Sequence, residues 1–342
     1  MIKEALFIGG TGTISMAITR LISTKPDWHL TVLNRGSRHT DLPANVTELN
    51  VDISDEEAAK KALEGKSFDC VCDFIGFVTE QLERDYRIFK GKTKQFMYIS
   101  SASAYNKLPS DYIITEGTAL ANPYWEYSRN KIACEDFLMK KYREEGFPVT
   151  IIRPSHTYDE RSIPMGVHGS KGSYQVIKRM LEGKPVIIHG DGSSLWTMTF
   201  NEDFAVGFAG LMGNCHAIGE AFQITSSETL TWNQIYASVA SALNVELKPY
   251  YVSSYFLAEA GKKYDFTGSL IGDKSNSVVF NNSKVKAVVP EFNPSISFND
   301  GVKRCIDYVM SHPECQVEDP EFDEWCDKVI AAVDEACNKL KN

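Results

Sequence analysis

The sequence predicts an α/β fold built on a doubly wound parallel sheet, with a smaller substrate-binding region toward the C-terminus. Three observations carry this expectation. Between Ala5 and Arg153 short apolar runs alternate with longer amphipathic ones, the order expected of βαβ units. A glycine-rich turn, Gly9-Gly10-Thr11-Gly12, follows the first run directly. After Arg153-Pro154 the alternation gives way to Gly- and Ser-bearing loops around Met165 to Ser173, which marks a second region.

Taken in order, the apolar runs place strands at Ala5 to Ile8, His29 to Leu33, Thr47 to Asn50, Cys70 to Ile75, Gln95 to Ser100 and Val149 to Arg153. The intervening 3.6-residue patterns place helices at Met16 to Ser23, Glu56 to Leu63, Thr79 to Phe89 and Tyr127 to Glu145. Beyond them the pattern predicts a helix at Tyr174 to Glu182, a strand at Val186 to His189, a strand at Glu220 to Thr225 and a helix at Trp232 to Leu243. The segment Pro320 to Leu340 reads as an acidic amphipathic helix.

Composition narrows the function classes. With 342 residues, 36 Lys and Arg against 45 Asp and Glu, a net charge of −9 and 43% hydrophobic residues, the chain is expected to be soluble and globular. No apolar stretch approaches the ~20 residues a membrane span needs, and the N-terminus reads as a first strand rather than a leader, so the cytoplasm is the expected compartment. The acidic balance speaks against nucleic acid, whose phosphates require clustered Lys and Arg. Eight cysteines without a C-x-x-C pair are expected to be reduced, and no metal site is expected; Cys70 and Cys72, at i and i+2 of one strand, share a face and read as packing.

The turn Gly9 to Ser15 has the chemistry of a phosphate cradle. Gly9 permits the tight turn, Gly12 lets backbone approach a pyrophosphate, and the helix that follows presents free N–H groups and the positive end of its dipole. Gly10, Thr11, Thr13 and Ile14 complete the expected cofactor loop of a Rossmann-type domain, and Ser15 replaces the pattern's third glycine with another small residue. At the end of the second strand stands Leu33-Asn34-Arg35-Gly36-Ser37-Arg38, with no acidic residue to accept from a ribose 2′-hydroxyl. Arg35, helped by Ser37 and Arg38, suits a 2′-phosphate, which favours NADP(H) over NAD(H). Asp52 and Ile53 are expected beside the adenine, where Asp52 either accepts from its amino group or belongs to a helix cap. Gly76, after the fourth strand, is expected to let the cofactor pass close to backbone or to serve a plain turn.

In Tyr127-Ser128-Arg129-Asn130-Lys131 the phenol and the ammonium lie at i and i+4, one above the other on a helix. A cation beside a tyrosine stabilises its phenolate and makes it a usable acid and base near neutral pH. Upstream, Tyr98-Ile99-Ser100-Ser101-Ala102-Ser103 brings hydroxyls to the carboxyl end of a strand, where open α/β sheets bind ligands. Ser101, Tyr127 and Lys131 are thus the candidate catalytic residues, and Ser103 and His156 are candidate substrate contacts.

Together these motifs resemble the extended short-chain dehydrogenase/reductases, the NAD(P)-dependent epimerase/dehydratase group, over roughly residues 3–310. The resemblance implies that Ser101, Tyr127 and Lys131 carry catalysis, with Lys131 also on the nicotinamide ribose. It implies as well that residues 1–158 and about 198–227 form the dinucleotide-binding domain, and that residues 159–197 and 228–342, with the added C-terminal helix, form the substrate-binding region. Glu135, Arg153 to Tyr158 and His189-Gly190-Asp191-Gly192 followed by Asp203 are similar to further family segments, although Asp159 stands where a glycine is usual. Two departures carry information. Nucleotide-sugar members place an arginine on the diphosphate where Trp196 stands here, so Trp196 is expected to line a pocket for a sugar or polyol without that handle. Dehydratases follow the catalytic threonine with Asp-Glu, whereas Ser101 is followed by Ala102-Ser103, which leaves epimerisation or alcohol/ketone redox chemistry. The alternative is a catalytically inactive NAD(P)- or RNA-binding member; Asn34-Arg35-Gly36 and Asp73-Phe74-Ile75-Gly76 also resemble RNA-associated plastid proteins. A homodimer through two helices per subunit is a further implication.

Overall fold

The computed structural model describes residues 2–36, 42–107 and 111–341; Ser37 and Arg38 lie outside them. The chain divides into two units. The first comprises Met1–Thr157, Thr199–Ser227 and Phe280–Ser295. It holds a seven-stranded sheet of β1 (Lys3–Ile8), β2 (Trp28–Asn34), β3 (Thr47–Asn50), β4 (Cys70–Asp73), β5 (Phe96–Ile99), β6 (Val149–Pro154) and β7 (Ala221–Ile224). The order is β7-β6-β5-β4-β1-β2-β3, with every neighbouring pair parallel. Helices α1 (Ser15–Ser23), α2 (Glu56–Ala62), α3 (Thr79–Phe89) and α4 (Glu126–Glu145) make the crossovers among the first six strands.

Both faces of the sheet's inner strands are covered, which is why β4 and β5 are buried along their whole length and read as mostly apolar runs rather than alternating ones, whereas β3 at the edge, Thr-Glu-Leu-Asn, is largely exposed. On one face Phe7, Val32, Met97, Ile152 and Phe222 pack with Ala17, Ile18 and Ile22 of α1 and with Phe204 and Phe208 of the helix Asn201–Leu211. On the other Leu6, Ile8, Val71, Tyr98 and Ile151 pack with Ala59 of α2, with Leu82, Tyr86 and Phe89 of α3, and with Cys134 and Leu138 of α4. The first core also takes in Val285, Val289 and Phe292. This corrects the expectation that everything after residue 228 belongs to the smaller region: burial of those three side chains ties Phe280–Ser295 to the sheet.

Strand β4 ends at Asp73, two residues short of its expected end at Ile75. The Asp73 Oδ1 accepts the backbone N–H of Ile75 at 2.8 Å and of Gly76 at 3.0 Å, which removes both donors from the ladder.

The second unit comprises Tyr158–Met198, Glu228–Val279 and Ile296–Asn342. It contains the strand Val186–His189 paired in parallel with Pro249–Val252, and the helices Tyr174–Leu181, Trp232–Ala242, Ser254–Ala260, Phe298–Ser311 and Pro320–Leu340. The helix starting at Pro320 is fastened to its own unit. Arg179, almost fully buried, pairs with Asp323 at 2.6 Å and with Asp327 at 2.8 Å. The segment Thr267–Lys274 is wound with i→i+5 bonding, Ser275 N–H donating to the Leu270 carbonyl at 2.9 Å, a winding no local pattern announced. Among the described residues no helix is long and apolar enough to cross a membrane. Among the same residues no three His, Cys, Asp or Glu side chains gather as metal ligands.

Candidate active site

The glycine turn leaves β1 at Gly9, whose φ of +81° and close approach to Ile75 admit no side chain; a Cβ there would stand 2.5 Å from Ile75 Cγ2. Ser15 locks the turn from inside, its hydroxyl donating to the Gly9 carbonyl at 2.7 Å and accepting from the Gly12 N–H at 2.8 Å. The position that lacks the third glycine therefore supplies two hydrogen bonds in its place. A Cβ on Gly12 would meet nothing closer than Ser15 Oγ at 3.5 Å, so the backbone there borders open space.

That space is a groove of about 400 Å³ at the carboxyl ends of β1 to β4. Gly9, Thr11, Gly12, Asn34, Arg35, Asp52 and Ile53 line it, as the sequence leads one to expect, while Gly10, Thr13, Ile14 and Gly76 are not among its lining residues. Gly10 instead packs inward, a Cβ there standing 2.8 Å from Val32. The Thr13 carbonyl accepts from Asn201 Nδ2 at 3.0 Å. For Gly76 the plain-turn reading has the physical reason: a Cβ would stand 2.4 Å from Asp73 Oδ2 and 2.8 Å from Leu82 Cδ2, so the fold's interior requires the glycine. The groove, with its glycine backbone at a helix N-terminus and no acidic side chain at the end of β2, fits a dinucleotide.

Arg84 of α3 also lines the groove and was missed from sequence. The Asp52 carboxyl is held below its usual range, chiefly by the backbone and hydroxyl donors of Ser54 and further by the charges of Arg35 and Arg84. The signal available was Asp85: it falls three residues after Leu82 and four before Phe89, on the apolar face of α3, and is fully buried with Arg84 as its ion pair at 2.7 Å. Burial pushes the carboxyls of both Asp85 and Asp73 up, Asp85 further because the neighbouring Asp73 carboxylate repels its charge and accepts its proton in a side-chain hydrogen bond.

Ser101, Tyr127 and Lys131 are brought together at the same end of the sheet. Lys131, on the second turn of α4, is buried and donates to the carbonyls of Gly76 and Ile99, both at 2.7 Å. Its Nζ lies 4.7 Å from the ring centroid of Phe77, 4.9 Å from Tyr98 and 5.8 Å from Tyr127. Phe77 lines the groove and its ring stands 6.4 Å from that of Tyr127, so the groove wall abuts the Tyr-Lys pair. Ser101 follows β5 two residues after Ile99 and is linked to α4 by hydroxyls: Ser101 Oγ to Ser103 Oγ at 2.9 Å, and Ser128 Oγ to Ser103 Oγ at 2.7 Å. Ser103 is thus buried and engaged on both sides, between Ser101 and Ser128.

Desolvation lowers the Lys131 pKa to about 8, against the opposing attraction of Asp73, Cys134 and Glu135. The ammonium is therefore present below that pH and lost as pH rises through it. Between about pH 8 and the ordinary 10.5 the unfolded chain holds the extra proton, so this group alone makes stability rise with pH in that window. Any activity that uses the cation is expected to decline with a basic limb near pH 8; a pH–rate profile flat from 7 to 9.5 contradicts this assignment.

One family model, the NAD dependent epimerase/dehydratase family, matches residues 5–225. The chain belongs to this family. Among curated relatives of this NAD-dependent epimerase/dehydratase family member is 2′-dehydrokanamycin reductase of Streptomyces kanamyceticus, 23% identical over 77% of this chain and 73% of that protein. Another is the chloroplast stem-loop binding protein of 41 kDa b of Arabidopsis thaliana, 24% identical over 70% of this chain and 63% of that protein, so the chain spans less than two thirds of its length. UDP-glucuronic acid 4-epimerase of Bacillus cereus, solved with UDP-glucuronic acid and NAD, shares the fold at a TM-score of 0.70 and 18% identity, covering 90% of this chain and 99% of that one.

The remaining expected contacts of this epimerase/dehydratase family member divide between the units. His156 is half-buried in the first, just after β6. Trp196 is in the second and buried, its ring centroid 6.0 Å from that of Trp232, so packing within its own unit accounts for it. Asp159, where the family has glycine, caps its own turn: it accepts from the Arg161 backbone at 3.1 Å and pairs with the Arg161 guanidinium.

Proposed function

We propose that the protein transfers hydride between a secondary alcohol carbon of a sugar or sugar-like substrate and a nicotinamide cofactor, NADP(H) in preference to NAD(H). The observation that carries this reading is the junction of the glycine-lined groove with Tyr127 and Lys131 through Phe77. A nicotinamide bound in the groove supplies the hydride acceptor or donor. Tyr127 takes the proton of the substrate hydroxyl as its carbon gives up hydride, and returns a proton in the reverse direction. Lys131, fixed by two carbonyls, places a positive charge where the phenolate develops and keeps a third N–H for a ribose hydroxyl. Ser101 holds the substrate oxygen in line.

Arg35 and Arg84 beside Asp52 support the preference for a 2′-phosphate. Arg35→Ala is expected to weaken NADPH binding about 10- to 100-fold, the worth of one charge-assisted contact, and to leave NADH within about threefold. Calorimetric titration with the two cofactors checks this, and equal losses for both remove the preference.

The function is tested by following nicotinamide absorbance with kanamycin, UDP-glucuronic acid and a general aromatic diketone, 9,10-phenanthrenequinone, each with the appropriate cofactor redox state. Turnover that requires Tyr127 supports hydride transfer. Cofactor binding without turnover of any of the three, joined by salt-sensitive retention of RNA, supports the non-catalytic reading raised by the chloroplast relative.

A further inference from the structure

The hydroxyls linking Ser101 to α4 have a direction. A serine hydroxyl has one proton to donate and two lone pairs that accept. Ser128, fully buried on α4, donates to Ser103 Oγ at 2.7 Å. Ser103, itself buried, then has one proton to place, and among the described residues the acceptor in reach of its Oγ is Ser101 Oγ at 2.9 Å. Were Ser101 to donate instead, Ser103 would accept twice and bury an unused proton, an arrangement that costs free energy. Ser101 Oγ also accepts the backbone N–H of Ser103 at 3.1 Å. Both of its lone pairs are therefore occupied by Ser103, while its own proton has no partner among the described residues and the residue is only half-buried.

Resting on the hydride-transfer reading, we propose that Ser128 and Ser103 form a one-way hydroxyl chain that fixes Ser101 as an obligate hydrogen-bond donor to the substrate oxygen. Two consequences follow for the reaction. Ser101 has no lone pair left to receive the substrate's hydroxyl proton, so that proton passes to Tyr127 alone: the O–H bond breaks toward the phenolate, the C–H bond breaks as hydride leaves for the nicotinamide, and the carbonyl π bond forms. In the reverse direction the donor is already aimed at a ketone oxygen before substrate arrives, so no hydroxyl has to rotate as negative charge develops there. Ser103 and Ser128 are positioning residues in this scheme, acting through Ser101. A threonine at either position keeps the hydroxyl and is expected to sustain the chain.

The direction is read without any substrate by neutron crystallography of the deuterated protein. A deuteron on Ser103 Oγ lying toward Ser101 supports the chain, and one on Ser101 Oγ lying toward Ser103 overturns it. The effect on catalysis is read with NADPH and 9,10-phenanthrenequinone. Ser128→Ala and Ser103→Ala are each expected to lower kcat about five- to tenfold with KM within about twofold, the size of one neutral hydrogen bond that strengthens in the transition state. Ser103→Thr is expected to restore the rate. In a Ser101→Ala background the same two alanine substitutions are expected to cost nothing more, because nothing remains for the chain to aim. Further loss in that background, or no loss in the wild type, overturns the proposal. Absence of turnover by the wild-type protein overturns the function reading itself and with it the catalytic role, while the neutron map still decides the direction of the chain.

Discussion

Tyr127→Phe is expected to lower kcat by about 10²- to 10⁴-fold, the usual worth of a positioned acid and base, while cofactor affinity stays within about twofold. The separation of the two effects follows from what holds the ring. Trp125 packs against it with centroids 4.9 Å apart and Phe77 at 6.4 Å, contacts a phenylalanine makes equally well. Lys131 is held by carbonyls of Gly76 and Ile99 rather than by the phenol, so the cation stays in place. Only the proton-carrying oxygen is removed. Single-turnover absorbance measurements and calorimetry read the two quantities separately. Substantial turnover by the variant removes Tyr127 from proton transfer, and a parallel collapse of cofactor affinity shows that the substitution disturbed the groove instead.

The parts of this site that are legible in the sequence are those that local patterns encode. An unbroken apolar strand, a glycine turn and a helix start define the cradle at Gly9 to Ser15, and the i, i+4 relation of Tyr127 and Lys131 needs only a helix to become a shared face. The fold was legible for the same reason: strands buried on both faces are mostly apolar, so their existence survives errors at their ends. Where ends moved, a side chain had intervened, as Asp73 does by capturing the Ile75 and Gly76 amides.

What was illegible depends on partners far apart in sequence. Arg84 and Asp85 carry charges that a pattern reading assigns to solvent, yet they sit at the groove and in the core, where only the assembled fold supplies Asp73 and Asp52 as neighbours. Ser103 is a small polar residue with no local mark of its partner, Ser128, which arrives on a helix 25 positions later. Likewise Val285, Val289 and Phe292 form a short apolar pattern with no local mark of which unit they complete.

Glu135→Ala is expected to destabilise the protein by about 3–5 kcal/mol, because it leaves Arg153 as an uncompensated buried charge. The pair is almost fully enclosed, with side-chain exposures of 3% for Glu135 and 7% for Arg153. Arg153 donates from Nη2 to Glu135 Oε2 at 2.6 Å and from Nε to Oε1 at 3.0 Å, and the carboxylate holds the guanidinium above its ordinary pKa against the opposing pull of burial. Ser100 adds a third donor to the same carboxylate at 2.5 Å. These contacts tie β6, α4 and the end of β5 to one another next to Ser101, so the loss is expected in catalysis as well as in stability. Glu135→Gln keeps an acceptor for Ser100 and Arg153 and should lose less than the alanine variant. The double variant Glu135→Leu/Arg153→Met, which removes both charges and refills the volume, should recover much of the stability, since paired burial of charge gains little over a packed apolar pair. Urea unfolding at pH 7 decides this: a double variant no more stable than Glu135→Ala means that the ion pair is a net source of stability, and one that folds well but turns over poorly assigns the pair to the placement of Ser101.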